Sequence, residues 1–248
     1  MAKHENLPGE KKQDKAAPSL LKNLRAKGVS YGLSNKDISK MSQEEITLSM
    51  YSTLDQTSTV CHRKLRMGNI GDGGWEICDD ADVRPRQPCI IYSFGIDYDW
   101  SFDDKISQTY GCHVYSFDPS ITQETYNRSS HVHFYKVGLG GKTEQTKTGW
   151  QLYSYKDLRK MLGHENTPID IVKMDLEGAE WPSVKQMLDD AQTGNLKQFL
   201  LEFHLGLIDA EQLRLIQRLE LDGFKVFYTH KNPVCERQVP GHPGTLTN

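Results

Sequence analysis

The sequence predicts an α/β protein built on a Rossmann-like, doubly wound sheet, and three observations carry that expectation. From residue 90 onward, short apolar runs alternate with amphipathic helical patterns, the grammar of strand–helix–strand units. Helix-start and helix-stop signals fall in the gaps between those runs. The chain has 248 residues, with 37% hydrophobic and 25% charged side chains, enough for one sizeable core with polar ends.

Residues 1–30 are rich in Lys, Glu, Pro and Ala and read as a flexible polar tail. Residues 31–88 read as an N-terminal cap. Within it, Ser42 with Glu45 spells a capping box, and Ile46, Met50 and Leu54 recur on one face of an amphipathic helix. The next stretch, Arg66 to Trp75 (RMGNIGDGGW), resembles a phosphate-cradling loop. It leads, however, into the extended run Trp75-Glu76-Ile77-Cys78 and not into the helix whose N-terminus would bind a phosphate. A glycine-rich hairpin in the cap is the better reading.

The main domain spans 89–239, with candidate strands at 89–95, 113–118, 133–139, 169–175, 199–204 and 224–230. Ser101 with Asp104 and Ser154 with Asp157 suggest capping boxes, Pro182 suits a first helical turn, and Gly223 suits a helix stop. Residues 240–248 read as a disordered C-terminal tail, too short and polar for a further antiparallel strand. The sixth strand is therefore expected to present an unprotected edge.

Right-handed crossovers place a ligand crevice at the carboxyl ends of the central strands. After the first strand, Phe94-Gly95-Ile96-Asp97-Tyr98-Asp99-Trp100 offers one glycine and two carboxylates. A dinucleotide site needs G-x-G-x-x-G and would be repelled by those carboxylates, so NAD and FAD are disfavoured. The turn suits a nucleoside cofactor without phosphates and with positive charge, which describes S-adenosyl-L-methionine. Asp118 follows Gly95 by 23 residues, close to the spacing of about 20 at which a carboxylate takes ribose hydroxyls. A plain Asp-Pro turn is the competing reading. Asp175, Glu177 and Glu180 follow the fourth strand, where a cation or a proton-transfer task would offset their repulsion. The competing reading is a solvated helix start. His204 ends the fifth strand, where it is either a general base or a satisfied histidine.

Taken with YSFGIDYDWSFDD, VYSFDPS, LLEFH and RMGNIGDGGWEIC, the stretch KMDLEGAEW resembles the FkbM-type class I methyltransferases, specifically the methyltransferase-like protein twenty-four group. The resemblance covers roughly residues 46–239. It implies an S-adenosylmethionine-dependent methyltransferase, with O-methylation of a small-molecule or glycan hydroxyl as the expected reaction. It places Gly95, Ile96 and Asp97 against the methionine moiety, Asp118 on the ribose, and Gly138 and Leu139 beside the adenine. Asp175 and Glu177 fall near the transferred methyl. With His204 they are the candidate catalytic residues. Because the resemblance includes the hairpin, Arg66, Asp72 and Gly73 are expected at the mouth of the cofactor pocket. A non-catalytic binding protein of the same fold is the alternative. No metal site is expected, although a divalent ion among Asp175, Glu177 and His204 is conceivable.

Composition excludes other classes. Thirty basic and 33 acidic side chains give a net charge of −3, with no basic run interleaved with aromatics, so nucleic acid is not an expected partner. No membrane segment or secretory leader is read in the sequence, which points to a cytoplasmic protein, or to the secretory pathway if a signal was lost. The five cysteines contain no C-x-x-C pair and read as reduced structural thiols, and one sequon occurs at Asn127-Arg128-Ser129.

Overall fold

The computed structural model describes residues 32–230 together with the short strands Ala2–Lys3, Arg237–Gln238 and Leu246–Thr247. In chain order the strands are β1 (Ala2–Lys3), β2 (Lys64–Met67), β3 (Trp75–Cys78), β4 (Ile90–Phe94), β5 (His113–Phe117), β6 (Tyr126–Asn127), β7 (Val132–Tyr135), β8 (Gly138–Leu139), β9 (Glu144–Gln145), β10 (Gln151–Tyr153), β11 (Ile171–Met174), β12 (Gln198–Leu201), β13 (Phe224–Lys225), β14 (Arg237–Gln238) and β15 (Leu246–Thr247). The helices are α1 (Gln43–Leu54), α2 (Ser101–Tyr110), α3 (Tyr155–Met161), α4 (Glu180–Asp189) and α5 (Ala210–Leu221).

The expected Rossmann-like α/β sheet is present. Its order is β13-β1-β12-β11-β4-β5-β7-β6, with β12, β11, β4, β5 and β7 mutually parallel. The chain runs outward from β4 through β5 to β7, then returns to β11 on the other side of β4. The switch in strand order therefore lies between β4 and β11. Strand β11 is buried at all four positions, as a central parallel strand covered on both faces must be. Side chains alternate between the faces. Tyr92, Phe94, Phe117 and Phe199 join the larger core with α1, α3, α4 and α5, while Ile91 and Val114 pack on the other face with Met67, Ile77, Phe102 and Ile106. Fully burying each such side chain contributes roughly 1.5–3 kcal/mol.

Local signals explain the helix boundaries. The Ser42–Glu45 capping box forms, and Asp209 with Gln212 makes a second one at the start of α5. Ser154 caps α3 by accepting from the Asp157 amide, and Gly223 follows the last turn of α5 with a φ of 96°. The Ser101–Asp104 pair does not form a box. Asp99 accepts from the Ser101 amide at 2.9 Å, and Asp104 instead pairs with Arg128 at 2.8 Å.

Several expectations need correction. The run 133–139 is two strands, because a tight turn from Val137 N to Tyr135 O diverts Gly138–Leu139 into a small second sheet beside β10. The run 199–204 stops pairing in β12 at Leu201. The run 224–230 shortens to Phe224–Lys225, since Val226 O turns to the cap and accepts from Ser58 N at 2.7 Å. Ala2–Lys3 lies antiparallel between β12 and β13, so the sixth expected strand does not pair with β12 directly, and β13 is the outermost strand at that end of the sheet. The tail expected at 1–30 otherwise lies outside the described residues. So does most of 240–248, where Leu246–Thr247 pairs with Arg237–Gln238.

The cysteines are also corrected. Cys61–Cys78 and Cys89–Cys112 are disulfides, with Cα separations of 5.8 and 4.8 Å; Cys235 lies outside the described residues. No C-x-x-C cue marks them, because both partners are distant in the chain and are brought together by strand pairing. Cys78 ends β3 opposite Lys64, the first residue of β2, three residues after Cys61, and Cys89 and Cys112 precede the adjacent strands β4 and β5.

Candidate active site

The switch point is built by close backbone approach. Gly95, with a φ of 73°, ends β4 so near to β11 that a β-carbon there would stand 1.7 Å from the Asp175 carbonyl oxygen. Beneath the turn, the buried Lys173 donates from Nζ to Phe94 O at 3.3 Å and Gly95 O at 2.5 Å. Asp118 holds the same turn from the other side. Its Oδ2 accepts from the Ile96 and Asp97 amides at 2.9 and 3.0 Å, and its Oδ1 accepts from the Ser120 amide and hydroxyl. Burial pushes this carboxyl up, but those donors outweigh burial and keep it below the ordinary aspartate value. Four accepted hydrogen bonds make Asp118 an organiser of the turn. Asp97 is exposed, and both it and Tyr98 have left-handed backbone angles. Gly138 and Leu139 are buried in β8, where the missing side chain of Gly138 lets Leu152 and Pro119 close in beside Asp118.

The hairpin reaches this turn directly. A β-carbon on Gly73 would lie 1.7 Å from Asp99 Oδ2, the oxygen that accepts from Asn69 Nδ2 at 2.9 Å. Arg66 stiffens the loop by donating to Asn69 O, Gly71 O and both Glu76 oxygens. The Asp72 carboxylate accepts from the Gly73 amide at 3.1 Å.

Beyond β11 the three acidic residues take different roles. Glu180, the first residue of α4, is wholly buried. Its Oε1 accepts from Leu176 N at 2.7 Å and lies 2.9 Å from His204 Nδ1, while its Oε2 accepts from Gly178 N at 2.8 Å. An ionised carboxylate can only accept, so Nδ1 carries the proton and Nε2 of a neutral His204 presents a lone pair. Glu177 is exposed, and its Oε2 sits 3.4 Å from that Nε2. Trp181 Nε1 donates to His204 O and its ring stacks on Phe203, which fixes the backbone that carries the histidine. Burial pushes His204 down, but Glu180 and, less strongly, Glu177 and Asp175 outweigh it and raise its pKa. Asp175 is pushed up to about 6, chiefly by burial and then by Glu202. Asp175, Glu180 and His204 each offer an atom within 4.8 Å of the others, as a metal site would. Both Glu180 oxygens are already engaged, however, which favours the hydrogen-bonded arrangement.

A cavity of about 370 Å³ opens beside Asp175. Its walls come from the hairpin (Arg66, Asp72, Trp75), from Glu202 and Phe203 beyond β12, and from Tyr228 beyond β13. The structure thus brings Asp175, Asp72 and Gly73 to one cavity, with Glu177 and His204 grouped next to Asp175. It places Gly95, Ile96, Asp97, Asp118, Gly138 and Leu139 around the neighbouring turn, outside the cavity lining. The hairpin wall is anchored to the sheet by Gln198, whose fully buried amide bonds Cys78 N, Cys78 O and Val83 O.

Sequence reasoning left Glu180, Lys173 and Gln198 without site roles. Lys173 and Gln198 carried a signal: each is a polar residue at a strand position that topology buries. Glu180 did not, since spacing alone could not show which of the three carboxylates turns inward.

A methyltransferase-domain family model matches residues 14–238, and the chain belongs to that family. It is 25% identical over 181 residues to the human (Homo sapiens) protein named "Probable methyltransferase-like protein 24", covering 64% of this chain and 48% of that protein. The Rattus norvegicus protein of the same name is also 25% identical over 181 residues, covering 64% and 49%. The matched segment thus spans about half the length of these curated relatives. No solved structure matches.

Proposed function

We propose that this chain transfers a methyl group from S-adenosyl-L-methionine to a hydroxyl oxygen, with His204 as general base. The observation that carries the reading is the pairing of the buried Glu180 with the half-buried His204 beside Asp175, at the switch point of a methyltransferase-family sheet. The donor set suits a cationic cofactor: Asp97 and Asp99 flank a turn whose backbone is fixed by Asp118 and Lys173. Gly95, Ile96 and Asp97 would take the methionine moiety, with Asp118 toward the ribose, Gly138 and Leu139 toward the adenine, and Asp72 and Gly73 over the mouth. When bound, the cofactor supplies an electrophilic methyl group open to in-line displacement.

The remaining work falls to this chain's own residues. The cavity beside Asp175 holds the acceptor, and holding both reactants in near-attack geometry supplies most of the acceleration. His204 Nε2 takes the hydroxyl proton, and Glu180 holds Nδ1–H and stabilises the imidazolium that forms, a contribution of about 10²- to 10⁴-fold. Asp175 and Glu177 orient the hydroxyl and complement the positive charge. The two disulfides favour an oxidising compartment over the cytoplasm. Among the described residues no helix is long and apolar enough to cross a membrane.

Calorimetric titration of the folded protein with S-adenosylhomocysteine tests the reading. Saturable binding is expected, and silence from folded protein overturns it in favour of a non-catalytic role.

A further inference from the structure

We infer that Asn127 is an attachment site for an N-linked glycan, on a face of the molecule remote from the cavity. Asn127-Arg128-Ser129 is the sole N-x-S/T triplet with a non-proline centre in the 248 residues. The structure adds three observations that the triplet alone lacks.

All three residues are exposed, and Asn127 lies on β6, the outermost strand at one end of the sheet. Its side chain is also oriented. Oδ1 can only accept, so it takes a hydrogen bond from His133 Nδ1 at 2.7 Å, and His133 in turn reaches His113 through Nε2 at 3.0 Å. That contact leaves Nδ2, the atom to which a sugar attaches, directed away from the histidine pair. Finally, Cys61–Cys78 and Cys89–Cys112 close in an oxidising compartment, the setting in which such glycans are added.

The chemistry balances. A bond forms between Asn127 Nδ2 and C1 of an oligosaccharide carried on a polyprenyl diphosphate. The C1–O bond to phosphate breaks, the lipid diphosphate leaves, and the amide proton passes to a base of the transferring enzyme. Closing each disulfide sends two electrons and two protons to a disulfide-bearing oxidoreductase. Five strand spacings separate β6 from β12, roughly 24 Å across the sheet, so the glycan does not obstruct the cavity. It would instead cover a terminal strand, whose unpaired backbone groups otherwise invite pairing with a second chain.

The test is expression of the full chain behind a secretory leader in cultured eukaryotic cells, with peptide mass spectrometry before and after treatment with a glycan-releasing amidase. The secreted wild type should carry a glycan, and its release should convert Asn127 to Asp. Ser129→Thr should keep the modification. Ser129→Ala, which removes no atom of the Asn127–His133 contact, and Asn127→Gln should each abolish it. Recovery of unmodified Asn127 from secreted, disulfide-bonded protein overturns the inference, as does a mass shift that survives in Ser129→Ala. Free thiols at Cys61, Cys78, Cys89 and Cys112 in the secreted protein would overturn the compartment on which it depends.

Discussion

Gly95 and Asp175 meet backbone to backbone: no β-carbon fits at the first without displacing the carbonyl of the second. The residue that opens the turn after β4 and a residue that lines the cavity are thus held by a single close approach across the sheet's switch point. Gly95→Ala should add about 1–2 kcal/mol of left-handed backbone strain to the clash. The expected outcome is at least a tenfold loss of S-adenosylhomocysteine affinity by calorimetry, about 1.4 kcal/mol, with the far-ultraviolet signature of the fold retained. Unchanged affinity would show that the turn does not hold the cofactor.

His204→Ala should lower methyl transfer by about 10²- to 10⁴-fold while leaving cofactor affinity within a factor of about two, because the proposed cofactor contacts come from the turn held by Asp118 and not from the imidazole. Glu180→Ala should do more harm to the fold. It removes the carboxylate that accepts from the Leu176 and Gly178 amides and empties a wholly buried position, so its melting temperature should fall below that of His204→Ala.

Activity should rise with pH along two limbs. His204 must be neutral to accept a proton, and its raised pKa moves that limb above the ordinary histidine value. Asp175 adds a limb at about 6, which Asp175→Asn should delete from the pH–rate profile. Stability runs the opposite way. The folded state binds the Asp175 proton more tightly than the unfolded chain, so this group's contribution is present below the unfolded value of 3.8 and is lost as pH rises through about 6. Asp175→Asn should therefore raise stability at neutral pH by roughly 1–2 kcal/mol, read from urea unfolding at pH 5 and pH 8, with a smaller gain at pH 5 than at pH 8.

Much of the fold was legible because it rests on period and punctuation. The apolar runs of β4, β5 and β11, the Ser42–Glu45 box and the Gly223 stop all declare themselves locally. The strand ends were less so: Val137 and Val226 are apolar, yet the Val137 amide folds back onto Tyr135 O and the Val226 carbonyl turns to Ser58 in the cap. In the site, the placement of Asp175 and His204 near one another follows from adjacent parallel strands. The inward turn of Glu180 does not, because it depends on the amides of residues 176 and 178 and on a histidine 24 residues away. The disulfides escape a sequence reading for the same reason. Each is a product of register that spacing does not encode.

Cys61→Ser with Cys78→Ser should destabilise the protein by about 3 kcal/mol, the loop-closure value for a crosslink spanning 17 residues. The hairpin is one wall of the cavity, so the apparent KM for the acceptor should rise more than that for the cofactor.

Gln198→Ala removes three buried hydrogen bonds that tie Cys78 and Val83 to the sheet, at about 1–3 kcal/mol for each partner left unsatisfied. Hydrogen exchange should accelerate at Lys64–Cys78 ahead of the β4–β5–β11 core. Uniform acceleration across the chain would mean that the hairpin has no separate anchorage.

That anchorage bears on the choice of ligand. The hairpin is tied to β12 by one glutamine and stapled at its own base, so the rim it gives the cavity is held on two sides. Under the proposed reaction, such a rim would sieve acceptors by girth before any chemistry begins, and methylated products would leave by the same gap.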